Sequence, residues 1–219
     1  MSRIAAHGIP SRREFLKLAL AAGAATSLAG TGSARAAVPS NARIVIAGAG
    51  AAGLAMANRL SSMLDGAKIT LIDGRKAHYY QPGFTLVGAG LKPASYVEST
   101  TGEFVPRNAE WIEEAVAEFD PDANAVVTAS GRRVEYDFLV LATGLVLDYE
   151  SIEGMSADLI GRDGIGSVYA GPQAAAATYA EMSRFADTGG VGLFGRPATE
   201  MKCAGAPLKY AFITEDTLT

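Results

Sequence analysis

Residues 42–75 read ARIVIAGAGAAGLAMANRLSSMLDGAKITLIDGR, and this stretch decides the fold. Ile44, Val45 and Ile46 form a continuous apolar run, the pattern of a strand buried on both faces. The run leads directly into Gly48-x-Gly50-x-x-Gly53. Beyond the third glycine, Leu54, Ala57, Leu60 and Leu64 recur at helical spacing. A second apolar run, Ile69 to Ile72, ends at Asp73, twenty residues past Gly53. Gly48 allows a tight turn, Gly50 lets backbone approach a pyrophosphate, and Gly53 lets helix and strand pack closely. The helix start then offers N–H groups and its positive dipole end to phosphates, while Asp73 can accept hydrogen bonds from a ribose. A lone glycine fingerprint is weak, but strand, fingerprint, amphipathic helix, second strand and acid in that order specify a dinucleotide-binding fold. The motif alone does not separate FAD from NAD.

Outward from this core, the composition is that of a globular protein. The 219 residues are 49% hydrophobic and 19% charged, with 25 glycines and a net charge of −4. No basic block lies beyond the first forty residues, which argues against a nucleic-acid partner. Cys203 is the only cysteine, so no internal disulfide can form. No metal site is expected.

The N-terminus has the three-part layout of an export signal. Arg3, Arg12, Arg13 and Lys17 precede an apolar stretch from Leu18 to Gly30, and Ala34-Arg35-Ala36 supplies a small-residue cleavage site. The apolar stretch is too short to cross a bilayer of about 30 Å as a helix. SRREFLK, residues 11–17, resembles the twin-arginine motif, a route known for carrying folded proteins with their cofactors bound. Residues 1–36 are therefore read as an address to the periplasm.

Downstream, WIEEAVAEFDPDANAVVTASGRRVEYDFLVLATG follows what reads as a charged helical region. Turns at Asp120-Pro121-Asp122 and Ser130-Gly131 divide it into a three-stranded antiparallel meander. The chain then returns through Phe138 to Leu141, read as a buried strand, into Ala142-Thr143-Gly144. This pattern resembles the two-dinucleotide-domain flavoproteins, the glutathione-reductase-like enzymes, in which the ATG turn lies close to FAD. HYYQPGFTLVGAG at residues 78–90, GLVLDYESIEGM, GIGSVY and KCAGAPLKY narrow the resemblance to sulfide:quinone oxidoreductases, across essentially the whole exported part of the chain.

The resemblance implies an α/β fold: a Rossmann-like FAD-binding domain with its meander at 37–160, then the beginning of a second Rossmann-like domain at 161–219. It implies FAD contacts at Ala51, Ala52, Asp73, Gln81 and the backbone near Val116, joining Gly48, Gly50, Gly53 and the Ala142-Thr143-Gly144 turn. It implies a redox cysteine at Cys203. The activity implied is FAD-dependent oxidation of sulfide to polysulfide or sulfane sulfur, with electrons passing to a membrane quinone. Hydrosulfide would attack a bridge between Cys203 and a second cysteine, leaving a persulfide and a thiolate.

The residues around Cys203 suit that role. Val191 to Phe194 reads as a short strand opening the second domain, and Pro207 suits the first turn of a helix running through Leu208, Tyr210, Ala211 and Ile213. A thiol before a helix N-terminus, between Lys202 and Lys209, has an electropositive setting that favours the thiolate. Where a second glycine fingerprint would hold NAD(P)H, the chain has Gly195-Arg196-Pro197-Ala198-Thr199-Glu200, whose proline and bulky side chains accommodate a nicotinamide poorly. The family places its second redox cysteine, and amphipathic segments meeting the membrane and quinone, further downstream. The chain is therefore read as the N-terminal half of a longer enzyme or a truncated product, with little turnover alone, and is compatible with a homo-oligomer.

Two alternatives stand beside this. The flavoprotein subunit of flavocytochrome c sulfide dehydrogenase is also exported, but attaches its flavin through a cysteine shortly after the tyrosines; here Gln81-Pro82 follow Tyr79-Tyr80, and no thioether can form. A truncated, non-catalytic FAD-binding fragment is the other. His78 and Trp111 receive no catalytic role, and Glu110, Glu113 and Glu114 read as a solvated face.

Overall fold

The computed structural model describes residues 37–197, 199, 201 and 203–218. The signal segment 1–36, Ala198, Glu200, Lys202 and Thr219 lie outside the described residues. In chain order the strands are β1 (Val38–Pro39), β2 (Arg43–Ala47), β3 (Leu64–Asp65), β4 (Lys68–Ile72), β5 (Ala77–Tyr79), β6 (Glu98–Thr100), β7 (Ala109–Ile112), β8 (Val116–Asp120), β9 (Ala125–Thr128), β10 (Arg133–Glu135) and β11 (Phe138–Leu141). The helices are α1 (Ala51–Met63), α2 (Phe84–Gly88), α3 (Pro172–Thr188) and α4 (Ala206–Leu218).

The centre is a four-stranded parallel sheet in the order β11-β2-β4-β7. Because alternate residues of β2 point to opposite faces, each face receives its own core. Ile44 and Ile46 pack with Leu54 and Ala57 of α1 and with Ile69 and Leu71 of β4. Val45 faces the other way, against Ile72, Ile112, Val126 and Tyr136, where the antiparallel meander β10-β9-β8 covers the sheet. Both faces are thus closed, as a parallel sheet requires. A third cluster, Phe84, Val87, Val97 and Ala175, joins α2 to α3.

Three expectations are corrected. Ala94–Val97 and Thr101–Phe104 are single 3-10 turns, the second closed by a Thr100–Glu103 capping box, rather than part of a charged helix. The residues after them, Ala109–Ile112, complete the parallel sheet as β7, a strand the sequence pattern did not reveal. Phe138 to Leu141 does form a strand, but as the sheet edge, with Phe138 and Leu141 exposed. Val191 to Phe194 is not a strand: no described segment pairs with it, and its side chains are exposed. A strand needs a neighbour for its backbone groups, which apolar composition alone does not provide. No described helix is long and apolar enough to cross a membrane.

Candidate functional site

The carboxyl ends of β2, β4 and β11 open onto a groove of about 450 Å³, lined by Gly48, Asp73, Arg75, Val116 and Thr143 among others. Ligands bind open α/β sheets at this end, where consecutive connections leave a central strand in opposite directions. Here β2 is that strand, with β4 on one side and β11 on the other.

The three glycines divide the work as their spacing implies. Gly48 has φ of +102°, and a side chain there would strike the Ala142 carbonyl oxygen. A Cβ on Gly53 would strike the Gly48 carbonyl oxygen, so turn and helix can meet only without one. Gly50 differs: a Cβ there would meet nothing nearer than an Arg75 guanidinium nitrogen, at 3.7 Å. Gly50 is the N-cap of α1, which has no side-chain cap and no acidic residue in its first turn. The exposed Ala51 and Ala52 therefore present an uncapped, positive helix end beside open space.

Asp73 is held as well as presented. Its Oδ2 accepts the Ala49 amide at 2.7 Å and its Oδ1 the Arg75 amide at 2.8 Å. Its own carbonyl accepts the Trp111 indole N–H at 3.0 Å, so Trp111 braces the strand end as well as packing on the core. Each carboxylate oxygen retains a second acceptor position for a hydroxyl. Open space at Gly50, a free helix start and an acid at the second strand end together fit an adenine dinucleotide.

The remaining candidates are distributed. Val116 and Thr143 line the groove, and Ala142 sits under Gly48. Gly144, with φ of +79°, continues the turn in open surroundings. Gln81 does not line the groove; it begins the 3-10 turn Gln81–Gly83 ahead of α2. The three glutamates on β7 and after it take partners on the surface: Glu110 pairs with Arg132, Glu113 with Lys76, and Glu114 accepts from the Ser130 hydroxyl.

Cys203 is exposed and lies just ahead of α4, its carbonyl accepting the Ala206 amide at 3.1 Å. Its neighbour is Tyr169, whose hydroxyl is held above its ordinary range by burial and then by the negative charge that Cys203 can carry. The Tyr169 ring packs on Phe84. Lys209 does not turn to the sulfur: its ammonium donates to the Pro82 carbonyl at 3.3 Å. The Tyr210 hydroxyl donates to the Gly88 carbonyl at 3.1 Å. These two bonds fasten α4 to the QPGFTLVG segment, bringing the motif around Cys203 and the motif around Gln81 to one side of the molecule. Arg75 and Tyr169 are the residues the sequence pattern did not single out. The first stands two positions past Asp73, where a basic residue in a turn reads as solvated; the second carried no signal. Among the described residues, no cluster could hold a metal ion.

Comparison with known proteins places these features in context. The family model for pyridine nucleotide-disulphide oxidoreductases matches residues 42–178, and that for twin-arginine signal sequences matches residues 10–29. The chain is 35% identical over 177 residues to a mitochondrial sulfide:quinone oxidoreductase of Dictyostelium discoideum, covering 80% of this chain and 38% of that protein. It is 36% identical over 172 residues to the Mus musculus protein of the same name, covering 78% and 37%. The solved sulfide:quinone oxidoreductase of Aquifex aeolicus superposes with a TM-score of 0.53 at 30% identity, over 68% of this chain and 33% of that one. The chain thus spans less than two fifths of the length of these curated relatives. The twin-arginine signal directs export across the cytoplasmic membrane to the periplasm.

Proposed function

Since the chain belongs to the pyridine nucleotide-disulphide oxidoreductase family, we propose that it carries FAD and serves the oxidation of sulfide with a quinone as final electron acceptor. One observation carries this: the fingerprint turn, the strand-end acid and the ATG turn wall a single groove in a chain 35% identical to a sulfide:quinone oxidoreductase.

Gly48, Gly50, Ala51, Ala52 and Gly53 would cradle the pyrophosphate, and Asp73 would take the adenosine ribose. Val116, Gln81 and the Ala142-Thr143-Gly144 turn would complete the FAD contacts. When bound, the isoalloxazine ring supplies the capacity to accept two electrons. Cys203 supplies the protein's sulfur: joined to hydrosulfide as a persulfide, it releases two electrons and one proton. Its exposure leaves it open to hydrosulfide. We assign 37–160 to the FAD-binding domain and 161–219, with Cys203, to the beginning of a second Rossmann-like domain.

Anaerobic addition of sulfide to the FAD-loaded protein tests it. The visible flavin band is expected to bleach in a single turnover. Rapid bleaching by NADH instead of sulfide would contradict the proposal.

A further inference from the structure

The arginine at the groove mouth extends that proposal and rests on FAD occupying the groove. Arg75 stands on a backbone fixed at both ends. Its N–H donates to Asp73 Oδ1 at 2.8 Å, and its carbonyl accepts the Thr101 hydroxyl at 2.9 Å. From this fixed point the side chain reaches the edge of Gly50, where its guanidinium comes within 3.7 Å of the place a Cβ would take.

That position sets the guanidinium beside charge of its own sign. The N-terminal end of α1 carries partial positive charge, and a guanidinium beside it has the wrong sign for the dipole. Asp73 accepts the Ala49 and Arg75 amides and makes no ion pair with the Arg75 guanidinium. Arg43, Lys76, Arg132, Arg133 and Arg184 each have a carboxylate partner. Among the described residues Arg75 has none. Its charge reaches His78, where it helps to hold the imidazole below its ordinary range. An anion placed between the helix end and the guanidinium would satisfy both.

We infer that Arg75 closes over Gly50 as the second half of a pyrophosphate clamp, the first half being the uncapped start of α1. A guanidinium can give two parallel N–H donors to phosphate oxygens, which an ammonium cannot. Arg75 is accordingly a positioning residue for the cofactor, acting on its phosphates and not on its adenosine.

Equilibrium binding of FAD, ADP and adenosine to the full chain, with Arg75→Gln and Arg75→Lys variants, tests this. ADP keeps the pyrophosphate without the flavin, and adenosine keeps the ribose without the phosphates. Arg75→Gln is expected to weaken FAD and ADP by about tenfold and leave adenosine unchanged, with Arg75→Lys between. Added salt is expected to weaken ADP binding more steeply in the wild type than in Arg75→Gln. Equal ADP affinity in both proteins would overturn the assignment, as would an equal loss for adenosine, which would mean a collapsed groove. A wild type that binds none of the three would instead overturn the cofactor proposal and remove the ground for this one.

Discussion

Gly53 and Gly50 stand on one turn, yet adding a side chain to each has different consequences. At Gly53 the new atom meets the backbone of Gly48, which cannot yield without moving the turn. Gly53→Ala is expected to cost about 2 kcal/mol or more of stability, measured by urea unfolding, and to lower FAD binding with it. His78 offers a titration. Burial first, and the Arg75 charge second, hold its imidazole below the ordinary 6.5. The unfolded chain therefore takes up this proton before the folded chain does as pH falls. The stability contributed is complete above pH 6.5 and declines as the pH drops through the folded value. Arg75→Gln removes one of the two causes, so the His78 resonance in an NMR titration is expected to shift partway back; an unmoved titration would separate the two side chains. At this scale the glycines and Asp73 were legible because their spacing is dictated by backbone contact. Arg75 was not, because a basic residue in a surface turn looks solvated until the groove beside it is seen.

Strands and helices with regular apolar spacing were legible in the same way. β2, α1, β4 and the meander all follow from periodicity and turn residues. β7 did not, because only four residues, Ala109–Ile112, pair with β4 from far along the chain, and polar neighbours hide them. Val191 to Phe194 failed in the opposite direction, being apolar enough for a strand but having no described partner. The docking of α4 is a tertiary feature that no local pattern encodes. It rests on the half-buried Tyr210, whose hydroxyl reaches Gly88, and on Lys209 reaching Pro82. Tyr210→Phe leaves the Gly88 carbonyl without this donor and is expected to cost about 1 kcal/mol, read as faster amide exchange along α4. Unchanged exchange there would mean that the Tyr210 hydroxyl does not help to hold α4.

Across the whole molecule, the groove lining and the thiol stand on different elements. Gly48, Asp73 and Thr143 sit at the strand ends, whereas Cys203 lies beside Tyr169 and the α2 cluster. Cys203→Ser is accordingly expected to keep wild-type affinity for FAD while losing bleaching by sulfide; loss of both would show that the two sites are coupled. The central claim is narrower, that the Gly48 turn and α1 hold the dinucleotide, and Gly50 tests it most directly. Gly50 has ordinary backbone angles (φ of −75°) and open space where a Cβ would stand, so Gly50→Val should fold. FAD affinity of the two proteins, compared at matched melting temperature, is the decisive measurement. The account requires Gly50→Val to lose FAD with its fold intact, and FAD bound equally well by both proteins would contradict it.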